Sequence, residues 1–406
     1  MYMDKIVKNK TISSFDSQVI RTLRFPLVCL VVIIHSFSFI KGWQIEQLDM
    51  TSLNGADVYS LFCISLSMTL AHIAVPTFFV ISGYLFFQGF GIWDWRLYSI
   101  KINKRIYTLL IPYLVWNSLY IAKVLGLKLG GVILKGKPFQ GIADWWNDHN
   151  GLLMYYHAND FAERINWLGG EGMFSFPIFV PMWYLRDLMV LCILSPVIWW
   201  LMNESRKFLR YAALALISII YITAIYPYMP GLSPGPVLYF SFGALLALGG
   251  MSLTSTLKKL RIPTAILFLL LWIPLIPLAG YRTELGNWFY PWFIMAGVVS
   301  IINMFAMLES RGAKWLGFCR RHEADVFFIF AAHNLFLSDI HNILMKICAM
   351  IMGEPSAKTV TFADAHPALL IVCYLLKIVV VIWLCVIASR FINTHLPKSR
   401  QLLTGR

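Results

Sequence analysis

Long apolar runs separated by short polar connections recur along almost the whole chain. A helix needs about 20 apolar residues to cross the roughly 30 Å hydrocarbon core of a bilayer, and most of these runs approach that length. The pattern predicts ten helical runs, at 20–40, 58–88, 106–125, 182–202, 211–228, 237–250, 262–280, 288–308, 324–345 and 368–389. We therefore expect an all-α, polytopic membrane helix bundle of about ten transmembrane helices.

The polar segments around these runs define the rest of the organisation. Residues 1–19 lack the short apolar core and small-residue cleavage site of a signal peptide, so we expect a retained cytoplasmic segment. Residues 20–389 are the expected transmembrane domain, and residues 390–406 a cytoplasmic tail. The long connection at about 126–181 is rich in Trp, Gly and Asn and is expected to face outward. A connection of this length in a compact bundle usually binds or covers something.

Lysine and arginine set the expected orientation. They cluster before the first run, in the connections after even-numbered runs and after the last run. Cytoplasmic segments carry such an excess, so both termini are predicted to lie inside. Of the 406 residues, 59% are hydrophobic and 13% are charged, which excludes an ordinary water-soluble domain. The net charge of +14 is spread over short juxtamembrane clusters, which do not indicate a nucleic-acid partner.

The first apolar run opens with an arginine and carries a histidine near its far end, in the stretch RFPLVCLVVIIHSF. On a helix, Arg24 and His35 are separated by about three turns plus 20°, and Arg21 shares their face. His35 then lies about 16 Å from Arg24, inside the hydrocarbon region. Such a buried ionisable group is a functional candidate by default, whereas arginines at this end also serve as lipid anchors. The sequence predicts a positively charged inner end beneath a buried base.

The second apolar run carries its own polar residues, in the stretch AHIAVPTFFVISGYLFF. Helix geometry places His72 at about the depth of His35. The small pair Ser82 and Gly83 lies nearer the inner face, where it lets another helix or a ligand approach the backbone closely. Both close helix packing and ligand binding fit this pair.

The outer end of the fourth run carries Trp183, Tyr184, Arg186 and Asp187. Tryptophan and tyrosine commonly form a belt at the membrane interface, and contact with a bound ligand is the alternative interpretation. Adjacent residues diverge by about 100° on a helix, so we expect Arg186 and Asp187 to serve different partners.

These elements, in this order, resemble the acyltransferase family 3 of membrane proteins, which includes polysaccharide O-acetyltransferases. The resemblance rests on Arg24 and His35 with ten residues between them, and on FFVISGY at 78–84, WRLYSIKINKRIYTLLIPY at 95–113, MWYLRDLMVL at 182–191 and FFIFAAHNLF at 327–336. It implies transfer of an acyl group, usually acetyl, from cytoplasmic acyl-CoA to a hydroxyl of a glycan or glycolipid. No metal is implied, and the expected location is a bacterial inner or plasma membrane.

The resemblance also implies roles for individual residues. His35 maps onto the family's essential histidine, and Arg24 onto its paired arginine. His333 is expected either to donate to the thioester oxygen or to fasten two helices. The expected donor-binding residues are Arg21, Ser82, Gly83, Tyr84, Lys101, Lys104, Arg105 and His333, and the expected acceptor-binding residues are His72, Trp183, Tyr184, Arg186 and Asp187. An intervening apolar stretch separates Gly83 from the basic residues, so their contacts with the donor stay open.

The chemistry of the residues agrees with this resemblance. Guanidinium and ammonium groups suit the phosphates of CoA, and a neutral imidazole can take the proton of an attacking hydroxyl. A covalent acyl-histidine is equally consistent with the sequence. Two other functions stay open: a transporter or flippase with the buried histidines and Arg186 along its path, and a polyprenyl-phosphate glycosyltransferase using acidic outer-loop residues.

Overall fold

The computed structural model describes residues 12–405 apart from 38, 39, 41, 166, 167, 169, 228, 281 and 282, and most of them are helical. In chain order the α-helices are α1 (Ser14–Ser36), α2 (Gly55–Cys63), α3 (Ala74–Phe86), α4 (Trp95–Arg105), α5 (Ile111–Lys135), α6 (Gln140–Asp148), α7 (Trp183–Ile193), α8 (Ser195–Met202), α9 (Lys207–Thr223), α10 (Pro234–Leu248), α11 (Leu253–Lys258), α12 (Arg261–Leu275), α13 (Glu284–Ser310), α14 (Leu316–Arg321), α15 (Val326–Met352), α16 (Val360–Ala365), α17 (Pro367–His395) and α18 (Pro397–Thr404). The predicted helical architecture is confirmed.

Six helical segments among the described residues are long and apolar enough to cross a membrane: Ser14–Ser36, Gly55–Phe86, Trp95–Lys135, Glu284–Ser310, Glu323–Met352 and Pro367–His395. A seventh candidate is the pair Val180–Ile193 and Ser195–Met202, which is bent by 64° where a proline enters the second helix. Helices α10 and α12 are apolar but have only 15 residues each, about 22 Å of helix against a core of roughly 30 Å. The predicted count of ten spans is therefore not confirmed.

The chain folds into two compact units. The first contains residues 79–250 and 392–405, and the second contains residues 12–78 and 251–391. In the first unit, α10 packs against α7, α8 and α9. In the second unit, α1 packs against α13, α14 and α15. The long helix α1 thus forms much of the interior of the second unit.

Local sequence fixes where α1 begins. Ser13 is the N-cap, and its side-chain oxygen accepts a hydrogen bond from the Asp16 amide at 3.0 Å. The Asp16 carboxylate is fully buried and accepts from the amides of Leu253, at 3.1 Å, and Thr254, at 3.0 Å. Those amides open α11 and have no partner within their own helix. Asp16 therefore joins the beginning of α1 to the beginning of α11.

The connection predicted at 126–181 is more ordered than its sequence indicates. Helix α5 continues to Lys135 and ends at Gly136, whose left-handed backbone (φ 62°) suits glycine. After α6, strands β1 (Asn159–Ile165) and β2 (Glu171–Phe176) pair antiparallel. This two-stranded sheet is the exception to the all-α prediction in the described chain.

Candidate active site

Two histidines meet inside the second unit. His35 lies in the last turn of α1, and His333 lies in α15. Their ring centroids are 5.1 Å apart, with the ring planes inclined by 42°. The residue His35 is half-buried, whereas His333 is completely buried. The structure therefore brings together two of the histidines that the sequence singles out.

The hydrogen bonds of His333 define its tautomer. Its Nδ1 lies 3.1 Å from the carbonyl oxygen of Ile329 and 2.8 Å from that of Phe330. Carbonyl oxygens only accept, so Nδ1 carries the hydrogen and Nε2 keeps its lone pair. Nε2 is buried and has no hydrogen-bond partner among the described residues. In this tautomer Nε2 is a proton acceptor. The expected donation to a thioester oxygen would require the other tautomer, in which Nε2 carries the hydrogen.

A third histidine lies near this pair. His72 is within electrostatic range of His35, and its Nδ1 is 2.5 Å from the hydroxyl oxygen of Tyr290. The shared depth of His72 and His35 predicted from helix geometry agrees with this arrangement. His72 is thus held by a neighbour in α13.

Irregular backbone presents His72. The candidate span Gly55–Phe86 contains a π-helical segment at Ile64–Thr69 and a 3-10 turn at Leu70–Ile73. Trp272 donates from its indole to the Ser65 carbonyl at 3.1 Å and to the Thr69 hydroxyl at 3.0 Å, which satisfies backbone exposed by the irregularity. Such π-bulges are frequent at functional sites.

The arginines of α1 share one carboxylate. Arg21 Nε is 2.9 Å from Glu323 Oε2, and Arg24 Nη1 is 2.8 Å from Glu323 Oε1. Glu323 lies ten residues before His333, so α1 and α15 run parallel and Arg21, Arg24 and His35 all face the same neighbouring segment. The predicted common face of these three residues is confirmed. The net charge at this end of α1 is smaller than expected, because Glu323 balances one of the two positive charges.

The serine-glycine pair lies in the first unit and packs closely against α10. A Cβ at Gly83 would lie 2.1 Å from the Phe240 carbonyl oxygen, and one at Gly243 would lie 2.1 Å from the Val80 carbonyl oxygen. The Ser82 hydroxyl is 3.1 Å from the Tyr184 hydroxyl. Tyr84 is buried. Close helix packing therefore accounts for Gly83 without a ligand.

The basic residues expected at the donor site differ in how far they are already engaged. Lys101 donates to the carbonyl oxygens of Phe86 and Gln88, the latter at 2.6 Å, and so caps the end of α3. Arg105 lies over the Phe86 ring, with its guanidinium carbon 5.9 Å from the ring centroid. Lys104 is exposed. Lys101 thus has a structural task at this position, and Lys104 has an exposed ammonium group.

Arg186 and Asp187 pair with each other, which corrects the expectation that they serve different partners. Arg186 Nη2 is 2.8 Å from Asp187 Oδ1, and both side chains are almost fully buried. The Cβ atoms diverge as predicted, but the long arginine side chain bends back to the neighbouring carboxylate. Arg186 also donates to the carbonyl oxygens of Tyr156, at 2.8 Å, and Ser175, at 3.0 Å. It therefore fastens the long connection at 126–181 to α7.

The aromatic residues beside this pair are partly accessible. Trp183 packs edge-on against Phe174, with centroids 4.9 Å apart, and Tyr184 packs against Phe79 at 4.8 Å. Both keep some exposed surface. They are integrated into the first unit, and a role in acceptor binding stays a prediction.

Sequence reasoning missed Glu323 and Lys377. Glu323 follows basic residues in a connection and shows no pattern of its own. Lys377 carries a visible signal, because it interrupts the most apolar of the six candidate spans, and it is 2% exposed. In the described part of the chain, no group of three His, Cys, Asp or Glu side chains is arranged to hold a metal ion.

Comparison with known proteins agrees with the resemblance seen in the sequence. The model of acyltransferase family 3, described as an acyltransferase domain, matches residues 18–390. The succinoglycan biosynthesis protein ExoH of Rhizobium meliloti is 28% identical over 281 residues, which are 66% of this chain and 66% of that relative. No solved structure matches the chain. Because the family match covers nearly the whole chain, this protein belongs to the acyltransferase 3 family.

Proposed function

We propose that this protein transfers an acyl group, acetyl in the simplest case, from cytoplasmic acyl-CoA to a hydroxyl of a glycan or glycolipid, with His35 as proton acceptor or acyl carrier. The observation that carries the proposal is the contact of the His35 ring with the buried, proton-accepting His333. Family membership supports the acyl transfer, and a relative named for succinoglycan biosynthesis supports a glycan acceptor.

The direct route uses His35 as a base. His35 removes the proton of the acceptor hydroxyl while the hydroxyl oxygen attacks the thioester carbonyl carbon. The carbon-sulfur bond breaks, and the CoA thiolate takes the proton from His35. The adjacent His333 ring supports the charged intermediate state, because its unprotonated Nε2 can accept a hydrogen bond from the imidazolium. The products are an ester and free CoA.

The covalent route uses the same ring. The His35 nitrogen attacks the thioester carbonyl carbon, the carbon-sulfur bond breaks, and the CoA thiolate takes the proton that the acyl-imidazolium ring releases. The acceptor hydroxyl then attacks the acyl carbon, the carbon-nitrogen bond breaks, and the hydroxyl proton passes to the His35 ring. Both routes give the same products and need the same residue. Rapid denaturation at neutral pH before acceptor is added separates them, because only the covalent route leaves label on the protein.

The inner end of α1 suits the phosphates of the donor. Arg21 and Arg24 present guanidinium groups, which bind phosphate with directed hydrogen bonds. Along α1 these arginines lie about 16 Å or more from His35. A flexible thioester arm can cover that distance, so the nucleotide would stay near the arginines while the reacting carbonyl reaches the histidine. Lys104 of the first unit is exposed, and its contact with the donor stays a separate prediction.

The acceptor would approach from the outer side of the membrane or from the bilayer. His72, held by Tyr290, is the proposed acceptor contact in the second unit. Acceptor binding by the partly exposed Trp183 and Tyr184 of the first unit stays a separate prediction. Histidine and tyrosine supply hydrogen bonds, and aromatic rings offer flat surfaces for sugar faces. A bacterial inner or plasma membrane provides both cytoplasmic acyl-CoA and outer glycans.

The test is transfer by the purified full-length protein in lipid nanodiscs. Radiolabelled acetyl-CoA and candidate glycans are incubated with the wild type, His35→Ala and His395→Ala, the last altering an exposed histidine as a matched control. We expect ester formation by the wild type and His395→Ala, and a loss of about 100-fold or more in His35→Ala at an unchanged melting temperature. Saccharide uptake into proteoliposomes without ester formation would show a transporter instead.

A further inference from the structure

Lys377 is a buried cation that the proposed reaction does not use. It lies in α17, is 2% exposed, and belongs to the most apolar candidate span. No carboxylate among the described residues lies within ion-pair distance of its Nζ. An ammonium group inside a membrane protein is costly, so its retention calls for a specific partner.

The partner is the end of α1. Lys377 Nζ donates to the carbonyl oxygen of Ser36, the residue directly after His35. The Tyr374 ring lies beside the same ammonium, with its centroid 5.6 Å from Nζ. The last carbonyl groups of a helix lack partners and carry partial negative charge, so a cation there stabilises the helix end. Lys377 is a cap supplied by a distant part of the chain.

A second side chain anchors the same turn. The Ser67 hydroxyl donates to the Ile33 carbonyl oxygen at 2.6 Å, and it lies 2.6 Å from the Tyr374 hydroxyl. Ile33 and Ser36 bracket His35 in the chain, and their carbonyls are among the last four of α1. Two of the carbonyls that α1 cannot satisfy itself are therefore held by side chains from the irregular second span and from α17.

We propose that Lys377 is a positioning residue, and that Ser67 and Tyr374 act with it. Together they fix the last turn of α1 and thereby hold the His35 ring against His333. The inference rests on the proposed function, because it assigns Lys377 a task in holding the reacting group. A misplacement of about 1 Å at a reacting group can lower a rate by about 100-fold. Positioning acts on the chemical step, and donor binding near the arginines is not affected.

The test compares Lys377→Met with Lys377→Arg in the nanodisc transfer assay. Methionine keeps the length and apolar packing but cannot donate, whereas arginine keeps the charge and the donor. We expect kcat to fall about tenfold or more in Lys377→Met, with the KM for acetyl-CoA unchanged within about twofold. Lys377→Arg should recover most of that loss. A wild-type kcat in Lys377→Met, or no recovery in Lys377→Arg, overturns the inference.

Milder variants keep the test decisive if Lys377→Met does not fold. Tyr374→Phe and Ser67→Ala each remove one hydroxyl, and both should lower kcat without changing the KM for acetyl-CoA. Cys385→Ala, at another buried position of α17, is the stability control: it should lower the melting temperature without lowering kcat. Wild-type kcat in both hydroxyl variants overturns the inference.

His35→Ala, assayed in parallel, separates the two claims. If His35→Ala still transfers acetyl groups at the wild-type rate, the role proposed for His35 fails and the inference about Lys377 fails with it. If His35→Ala is inactive while Lys377→Met keeps wild-type kcat, only the positioning role is wrong.

Discussion

Glu323 should weaken the binding of acyl-CoA, and its neutralisation should lower the KM for the donor. Its carboxylate contacts both Arg21, at 2.9 Å, and Arg24, at 2.8 Å. If these arginines receive a phosphate, the carboxylate competes for their hydrogen bonds and offsets one of their two charges. Glu323→Gln removes that negative charge with little change in shape.

The size of the effect follows from Coulomb's law. At an effective dielectric of about 20, one unit charge about 8 Å from a phosphate contributes about 2 kcal/mol. Screening at physiological ionic strength, where the Debye length is about 8 Å, leaves about 0.7 kcal/mol. The KM for acetyl-CoA should therefore fall about threefold in Glu323→Gln, and the advantage should shrink as salt is added. The side chains of Arg21 and Arg24 are 53% and 24% exposed, so loss of these ion pairs should change stability by less than about 1 kcal/mol.

The assay is a donor titration of the nanodisc-bound enzyme at fixed acceptor concentration. Glu284→Gln is the matched control, because it removes the same charge far from the arginines. Glu284 begins α13, and Glu309, about 38 Å along that helix, accepts a hydrogen bond from Thr22 of α1 at 2.7 Å. The KM of Glu284→Gln should equal that of the wild type. An unchanged KM in Glu323→Gln would show that the two arginines do not receive the donor. A raised KM would show that Glu323 orients them for binding, which also refutes the competition argument.

Three further predictions concern packing and the histidine pair. His333→Ala should lower kcat about tenfold or more in the transfer assay, because the proton acceptor beside the base is lost; a wild-type rate would contradict this role. Gly83→Ala should destabilise the fold by about 1–3 kcal/mol, since the new Cβ meets a backbone carbonyl, whereas Gly126→Ala, which meets nothing within 4 Å, should melt like the wild type. Arg186→Met should lower the free energy of unfolding by about 3–5 kcal/mol, because the Asp187 carboxylate is left buried without the guanidinium. The double variant Arg186→Met with Asp187→Leu should recover much of that loss. No recovery would mean that the loss does not come from breaking this ion pair.

Hydrophobic patterning predicted the features that depend on one segment at a time. Apolar runs located the long helices, because a membrane span is a continuous stretch of sequence. Angular arithmetic on a single helix placed Arg24 and His35 on one face, which the contacts with Glu323 and His333 confirm. Span lengths were less predictable, because capping and proline positions decide where a helix ends.

Features that join distant segments could not be predicted from the sequence in this way. Arg186 and Asp187 pair because the long arginine side chain bends back to its neighbour. The angular positions of the two residues around the helix axis do not reveal this. The π-helical segment that precedes the turn with His72 depends on tertiary partners such as Trp272. The use of Lys377 as a cap for α1 joins residues more than 300 positions apart. The sequence shows that Lys377 lies in an apolar run, but only the fold shows that its partner is the Ser36 carbonyl.

The central claim is that His35 performs the transfer while other residues bind the donor. Its most direct test measures binding and single-turnover transfer in the same His35→Gln preparation. Calorimetry with a non-transferable acetyl-CoA analogue should give an affinity within about threefold of the wild type, and rapid-quench transfer should be slower by about 100-fold or more. Transfer at the wild-type rate would contradict the account.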